Sequence, residues 1–98
     1  MVYKQRFRKC VEMNNSKIDD IIKDVKAELY RAEKIYAEMS TYHHGESVIR
    51  EEFDEFNETV RAVKQTRQHS GTSEEKSKMY GELIQIIAMC IRFIHDLL

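Results

Sequence analysis

Apolar residues recur every three or four positions along most of this chain, and no strand-length stretch alternates apolar with polar. That period is the helical one. In the first long stretch Ile18, Ile21, Ile22, Val25, Leu29, Ala32, Tyr36 and Met39 share one stripe. At roughly 100° per residue they fill about a third of the circumference. Ser16-x-x-Asp19 resembles a capping box, so a helix is expected over 16–39. A turn lies within 40–45, and Gly45 either closes it or sits in the first turn of the next helix. The second helix is expected over 46–67, where Val48, Ile49, Phe53, Phe56, Val60 and Val63 span an arc of roughly 140°. Thr72-x-x-Glu75 is a second capping box and opens a third helix, expected over 73–97. Met79, Leu83, Ile86, Ile87, Met89, Cys90, Ile91, Phe93, Ile94, Leu97 and Leu98 cover more than half of its circumference. A face that wide implies burial on two sides.

Upstream, Tyr3, Phe7, Cys10 and Val11 outline a short helix within a basic segment over 1–14, broken at Asn14-Asn15. With no proline, three glycines and 98 residues, the expected architecture is one all-α domain, 1–98, a bundle of three main helices plus the short one. A core this small gains from assembly, so a homodimer or homotetramer with a four-helix-type core is expected. Packing of the N-terminal segment over the third helix is the monomeric alternative.

Composition narrows the function classes. A net charge of −1 with 34% charged residues gives no electrostatic case for nucleic acid, and Lys4, Arg6, Arg8 and Lys9 form only a local basic patch. Cys10 and Cys90 have neither zinc nor disulfide-scaffold spacing, so reduced thiols in the cytoplasm are expected. The longest apolar run, Ile86 to Ile91, is six residues, too short for a membrane span, and the N-terminus lacks a signal-peptide core.

Against this background the acids of Ile49-Arg50-Glu51-Glu52-Phe53-Asp54-Glu55-Phe56 stand out. On a helical wheel Glu52 falls inside the apolar arc between Val48 and Val63. Glu55 borders it, Glu51 lies further round, and Asp54 faces away. On the third helix Glu82 again lies inside the apolar arc, with Gln85 at its polar edge. A carboxylate on an apolar face is costly unless paired, protonated or bound to a metal. Oxygen ligands of this kind suit Mg²⁺ or Mn²⁺. The competing reading is a solvated helix face, the usual fate of such a string of acids. His43-His44, about 100° apart on a helix, suit a turn or cap better than a shared ion.

Glu51-Glu52-x-x-Glu55 followed on the next helix by Glu82-x-x-Gln85 resembles the EExxE…ExxD pattern of the MazG-like all-α nucleoside triphosphate pyrophosphohydrolases. The stretches from Ser47 to Glu52 and from Glu82 to Met89 are similar to small single-domain members found in phages and bacteria, and the resemblance covers about residues 18–98. It implies Mg²⁺-dependent cleavage of a nucleoside triphosphate to monophosphate and pyrophosphate, in the manner of nucleotide-pool housecleaning. It also implies Glu51, Glu52, Glu55, Glu82 and Gln85 as metal ligands, with Glu52 and Glu55 catalytic. Gln85 departs from the pattern, which has Asp there: an amide offers a carbonyl oxygen but neither charge nor a base. The alternative is a catalytically weak relative that binds nucleotide or protein. Lys78 and Arg92 share a stripe with Glu82 and Gln85, and are candidates for substrate phosphate or for bracing the acids. Otherwise Lys78 and Glu82 form an ordinary i,i+4 pair.

Overall fold

The computed structural model describes residues 14–63 and 70–98. The expected short helix over 1–14 lies outside them, apart from Asn14. The described residues form three helices and no strand: α1 (Asn15–Ile35), α2 (Tyr42–Ala62) and α3 (Ser73–Leu97). The class is all-α, as the periodicity predicts. None of these helices is long and apolar enough to cross a membrane.

Both α1 and α2 pack on α3, and no Cα of α1 comes within 8 Å of a Cα of α2. The broad apolar surface of α3 therefore serves two neighbours. Ala32 of α1 and Ala88 of α3 are fully buried, which lets their backbones approach closely. Met39 and Met89 complete the buried cluster, with Leu29, Val48, Ile49, Phe93 and Leu97 packed around it. These two contacts do not use up the apolar surface of α3: Leu83, Ile87, Ile91 and Ile94 are each 40% exposed or more.

The helix ends differ from expectation in four places. The first start is one residue early, because Asn14 is the N-cap, its Oδ1 accepting from the amides of Ser16 (2.9 Å) and Lys17 (3.3 Å). The first helix also stops at Ile35 instead of 39, since Tyr36 turns extended. Met39 is buried, but from an extended connection. Its amide donates to Asp96 Oδ2 (3.1 Å), and Arg92 donates to the Ala37 carbonyl (2.7 Å). Side chains of α3 thus satisfy backbone groups that another turn of α1 would have used internally.

The second helix starts four residues early. Thr41 caps it by accepting from the His44 amide (3.0 Å), while His44 Nδ1 accepts from the Ser40 amide (3.4 Å). His44 has the capping role that its place in the turn suggested. Gly45 falls in the first turn of α2. The far end of α2 is at Ala62 rather than 67: Val63 is already extended, and 64–67 lie outside the described residues. The start of α3 agrees with expectation in detail, Thr72 and Glu75 exchanging both capping-box bonds (3.1 and 2.7 Å). Gly71 precedes the cap at φ 98°, a conformation that favours glycine.

The two helical glycines should respond oppositely to alanine. A Cβ on Gly45 would lie 2.5 Å from Phe93 Cδ2 and 3.1 Å from Leu97 Cδ1, whereas one on Gly81 meets nothing within 4 Å. Alanine gains about 1 kcal/mol of helix propensity at either site. Overpacking costs about 1–3 kcal/mol and applies only at Gly45. Urea unfolding should show Gly81→Ala stabilised and Gly45→Ala destabilised. Asp96→Ala, which frees the Met39 amide and removes an acid beside Arg92, should cost about 2–3 kcal/mol.

Candidate functional site

Because α1 and α2 stand apart on α3, a cleft runs between them with α3 as its floor. One cavity, of about 370 Å³, is lined by acids from both walls (Glu28 of α1, Glu51 and Glu52 of α2) and by Gln85 and Arg92 of α3. Arg31, Tyr36, Met39 and His44 contribute to the same lining. A second, more open cavity brings Glu55 of α2 together with Lys78 and Glu82 of α3 and Asp24 of α1. Three side chains border both: Glu28, Arg31 and Gln85.

The expected site residues are thus divided between two adjoining cavities. Glu51, Glu52, Gln85 and Arg92 line one; Glu55, Glu82, Gln85 and Lys78 line the other. Glu52 and Glu82 are partly buried, while Glu51, Glu55, Lys78 and Asp54 are exposed.

Glu52 and Glu82 carry the electrostatic tension. Glu52 Oε2 and Glu82 Oε1 are both buried without a hydrogen-bond partner. The other oxygen of Glu82, Oε2, accepts from the Thr59 hydroxyl (3.0 Å), which also lies 3.1 Å from the Glu55 carbonyl. Burial pushes the Glu52 carboxyl above the ordinary carboxylate range, and the charges of Glu55, Glu51, Glu28 and Glu82 push the same way, in that order.

The cations present are mostly committed. Arg31 forks onto Glu28, with Nε 2.9 Å and an NH₂ 2.5 Å from Oε2. Arg92 is 9% exposed, bound to the Ala37 carbonyl and 3.6 Å from Asp96 Oδ2, so it braces the α1–α2 connection while bordering the cavity. Lys78 has no ion-pair partner among the described residues; the i,i+4 pair with Glu82 does not form. His95 sits outside the cleft against Asp96 Oδ1 (2.8 Å).

Among the described residues no three His, Cys, Asp or Glu side chains are gathered closely enough to ligate one ion. Carboxylate and amide oxygens are the donor type that Mg²⁺ or Mn²⁺ takes. Two buried carboxylate oxygens without partners leave each acid to hold a proton or to meet a cation, and Mg²⁺ takes a few carboxylates and keeps its waters. Candidate ligands are Glu51, Glu52, Glu55, Glu82 and Gln85, with Glu28 added by the fold. Gln85 offers only its carbonyl oxygen.

Glu28, Arg31 and Thr59 were missed by the sequence reading. For Glu28 a signal existed: on the helical wheel it borders the apolar stripe of α1 beside Ile21 and Met39, as Glu55 borders that of α2. Thr59 lies one turn beyond Glu55 on the same stripe, but a helical threonine usually bonds its own backbone.

No family model matches this chain, nor does any curated protein or solved structure.

The raised affinity of Glu52 for its proton fixes a sign. The folded state binds that proton more tightly than the unfolded chain, so the ionised form costs stability as pH rises above the ordinary carboxylate value. Without added metal, Glu52→Gln should melt higher than wild type at about pH 7, and the gap should close towards about pH 4. Circular dichroism melts across that range read it directly.

Proposed function

We propose that the cleft is a metal-dependent active site that hydrolyses a nucleoside triphosphate to monophosphate and pyrophosphate, in the manner of the MazG-like pyrophosphohydrolases. One observation carries the reading: two carboxylates on facing helices, Glu52 and Glu82, each keep a buried oxygen without a partner. A structural bundle gains nothing from such an arrangement, since each unpaired buried acid opposes folding. The family resemblance of the motif is the second support.

Mg²⁺ or Mn²⁺ would supply charge neutralisation of the phosphates and polarisation of the scissile bond. The protein would provide the rest. Glu51, Glu52, Glu55, Glu82 and Gln85 would hold the ion, and Thr59, donating to Glu82 Oε2, orients that carboxylate. Water attacks the α-phosphorus, the bond to the bridging oxygen of the β-phosphate breaks, and pyrophosphate leaves. Glu52 and Glu55 are the candidates to accept the proton of that water. Lys78, exposed at the rim of the second cavity, is the phosphate candidate on α3. Arg92 contributes from beneath, through the position of the connection. Tyr36 and Met39 offer an apolar wall against which a base can lie.

The same reading places the protein in the cytoplasm as a homodimer or homotetramer. Support for assembly is the exposed apolar side of α3, Leu83, Ile87, Ile91 and Ile94, together with the lack of any large side chain that is fully buried among the described residues. Nucleic acid and membrane are not expected partners. A second function, binding nucleotide or protein without turnover, is favoured by Gln85 standing where the family pattern has an acid.

Pyrophosphate release measured over canonical and modified nucleotides, with Mg²⁺ or Mn²⁺ titrated, tests the choice. Wild type should cleave at least one triphosphate. Glu52→Gln and Glu82→Gln should lose about 10²-fold or more in kcat. Full activity in both variants would remove them from the site, and metal-dependent nucleotide binding without cleavage by wild type would select the second function.

A further inference from the structure

One apolar face of the molecule takes no part in the cleft. On α3, Leu83, Ile87, Ile91 and Ile94 recur at helical spacing, and each is 40% exposed or more. Leu83 and Ile87 stand two residues either side of Gln85, which sets them roughly 160° round α3 from the cleft floor. On α2, Phe53 and Val60, 52% and 42% exposed, share a second stripe. Phe53 is two residues from Glu55 and turns away from that acid by the same angle, roughly 160°. The two helices run antiparallel, with Gly45 against Phe93 and Thr59 bonded to Glu82. That pairing brings Phe53 level with Ile87, and Val60 near Leu83. None of the six side chains lines either cleft cavity.

The size and chemistry of this face are those of an interface. The six side chains leave on the order of 500 Å² open, nearly all of it apolar. A standard interface takes about 800 Å² from each partner, about 60% of it apolar. The patch thus matches the apolar part of one complete interface. It also lacks charge: from Leu83 to Ile94 the one charged residue is Arg92, whose guanidinium is held on the Ala37 carbonyl beside the cleft. Depletion of charge is what marks the core of an interface. Such a stripe gives a charged partner nothing to pair with, but it is complementary to itself across a two-fold axis. The chain also gains from covering it, since no large side chain is fully buried among the described residues.

We propose that a second copy of this chain docks on this face, α3 of one protomer against α3 of its partner, with Phe53 and Val60 of α2 at the flank. The two clefts then open on opposite sides of the dimer, and each is built within one chain. The proposal rests on the expectation of assembly given above and not on what the cleft binds.

Sedimentation velocity on the full chain, from about 1 to 100 µM, tests it. Wild type should be a dimer. Ile87→Glu, at a position open enough to accept a charge in the monomer, should sediment as a monomer with the helical circular dichroism of wild type. Ile94→Gln, a milder change, should raise the dimer Kd about tenfold or more. Two controls separate this face from the others: Tyr30→Glu, exposed on α1 outside the patch, and Glu52→Gln, in the cleft, should both dimerise as wild type does. A monomeric wild type overturns the proposal, and so does an assembly that Ile87→Glu leaves intact. A raised Kd in either control seats the partner on another face and overturns it as well. If Ile87→Glu loses its helical signal, Ile94→Gln decides, and an unchanged Kd there overturns the proposal.

Discussion

Among the described residues, every helix–helix contact passes through α3. Two helices packed on a common third, and not on each other, must leave a groove between them. The floor of that groove is the strip of α3 between its two buried faces, and Gln85, Arg92 and Glu82 lie on or beside it. The small contact residues Ala32 and Ala88 bring α1 close to α3. The acids of α1 and α2 then face one another across a space about 370 Å³ in size instead of dispersing into solvent. The cleft is thus a consequence of packing order, and its charge a consequence of which stripe each acid occupies.

Such a cleft opposes the stability of the bundle around it. The described core is built from Val25, Ala32, Met39, Ile84, Ala88 and Met89, none of them aromatic. Apolar burial of that size leaves little margin against conformational entropy. Yet the same interior carries two carboxylate oxygens that no donor satisfies. Thr59 relieves one acid on one side only, and Arg31 relieves Glu28 from an exposed position. Residues chosen for folding alone would have placed an apolar or amide side chain at 52 and 82. Local conflicts of this kind gather where a protein does its work.

What the sequence makes legible follows the range of the forces involved. The three helices and the Thr72–Glu75 capping box are set by neighbours three or four residues away, and these agree with the structure. The end of α1 does not, because Met39 keeps helical spacing while its backbone is held by Asp96, 57 residues further along. The start of α2 at Thr41 was locally encoded, but Gly45 hid it: a glycine reads as a helix end until Phe93 is known to lie against it. In the site, Glu52 and Glu82 were visible as acids inside apolar arcs. Arg31 was not, since an arginine on a polar face has no distinguishing mark until the helix opposite is in place. The division of the acids between two cavities depends on how far apart α1 and α2 stand, which no periodicity encodes.

The tie between the α1–α2 connection and α3 also has a bearing on time. Arg92 and Asp96 hold Ala37 and Met39 across 55 and 57 residues of chain. Closing a loop of that size costs entropy before any contact rewards it, so such contacts form late. Helical turns assemble from near neighbours within about a microsecond, long before this clasp can close. That clasp holds Ala37 and Met39, which line the cleft. Contact range alone thus places the helical turns early and the clasp that completes the cleft late.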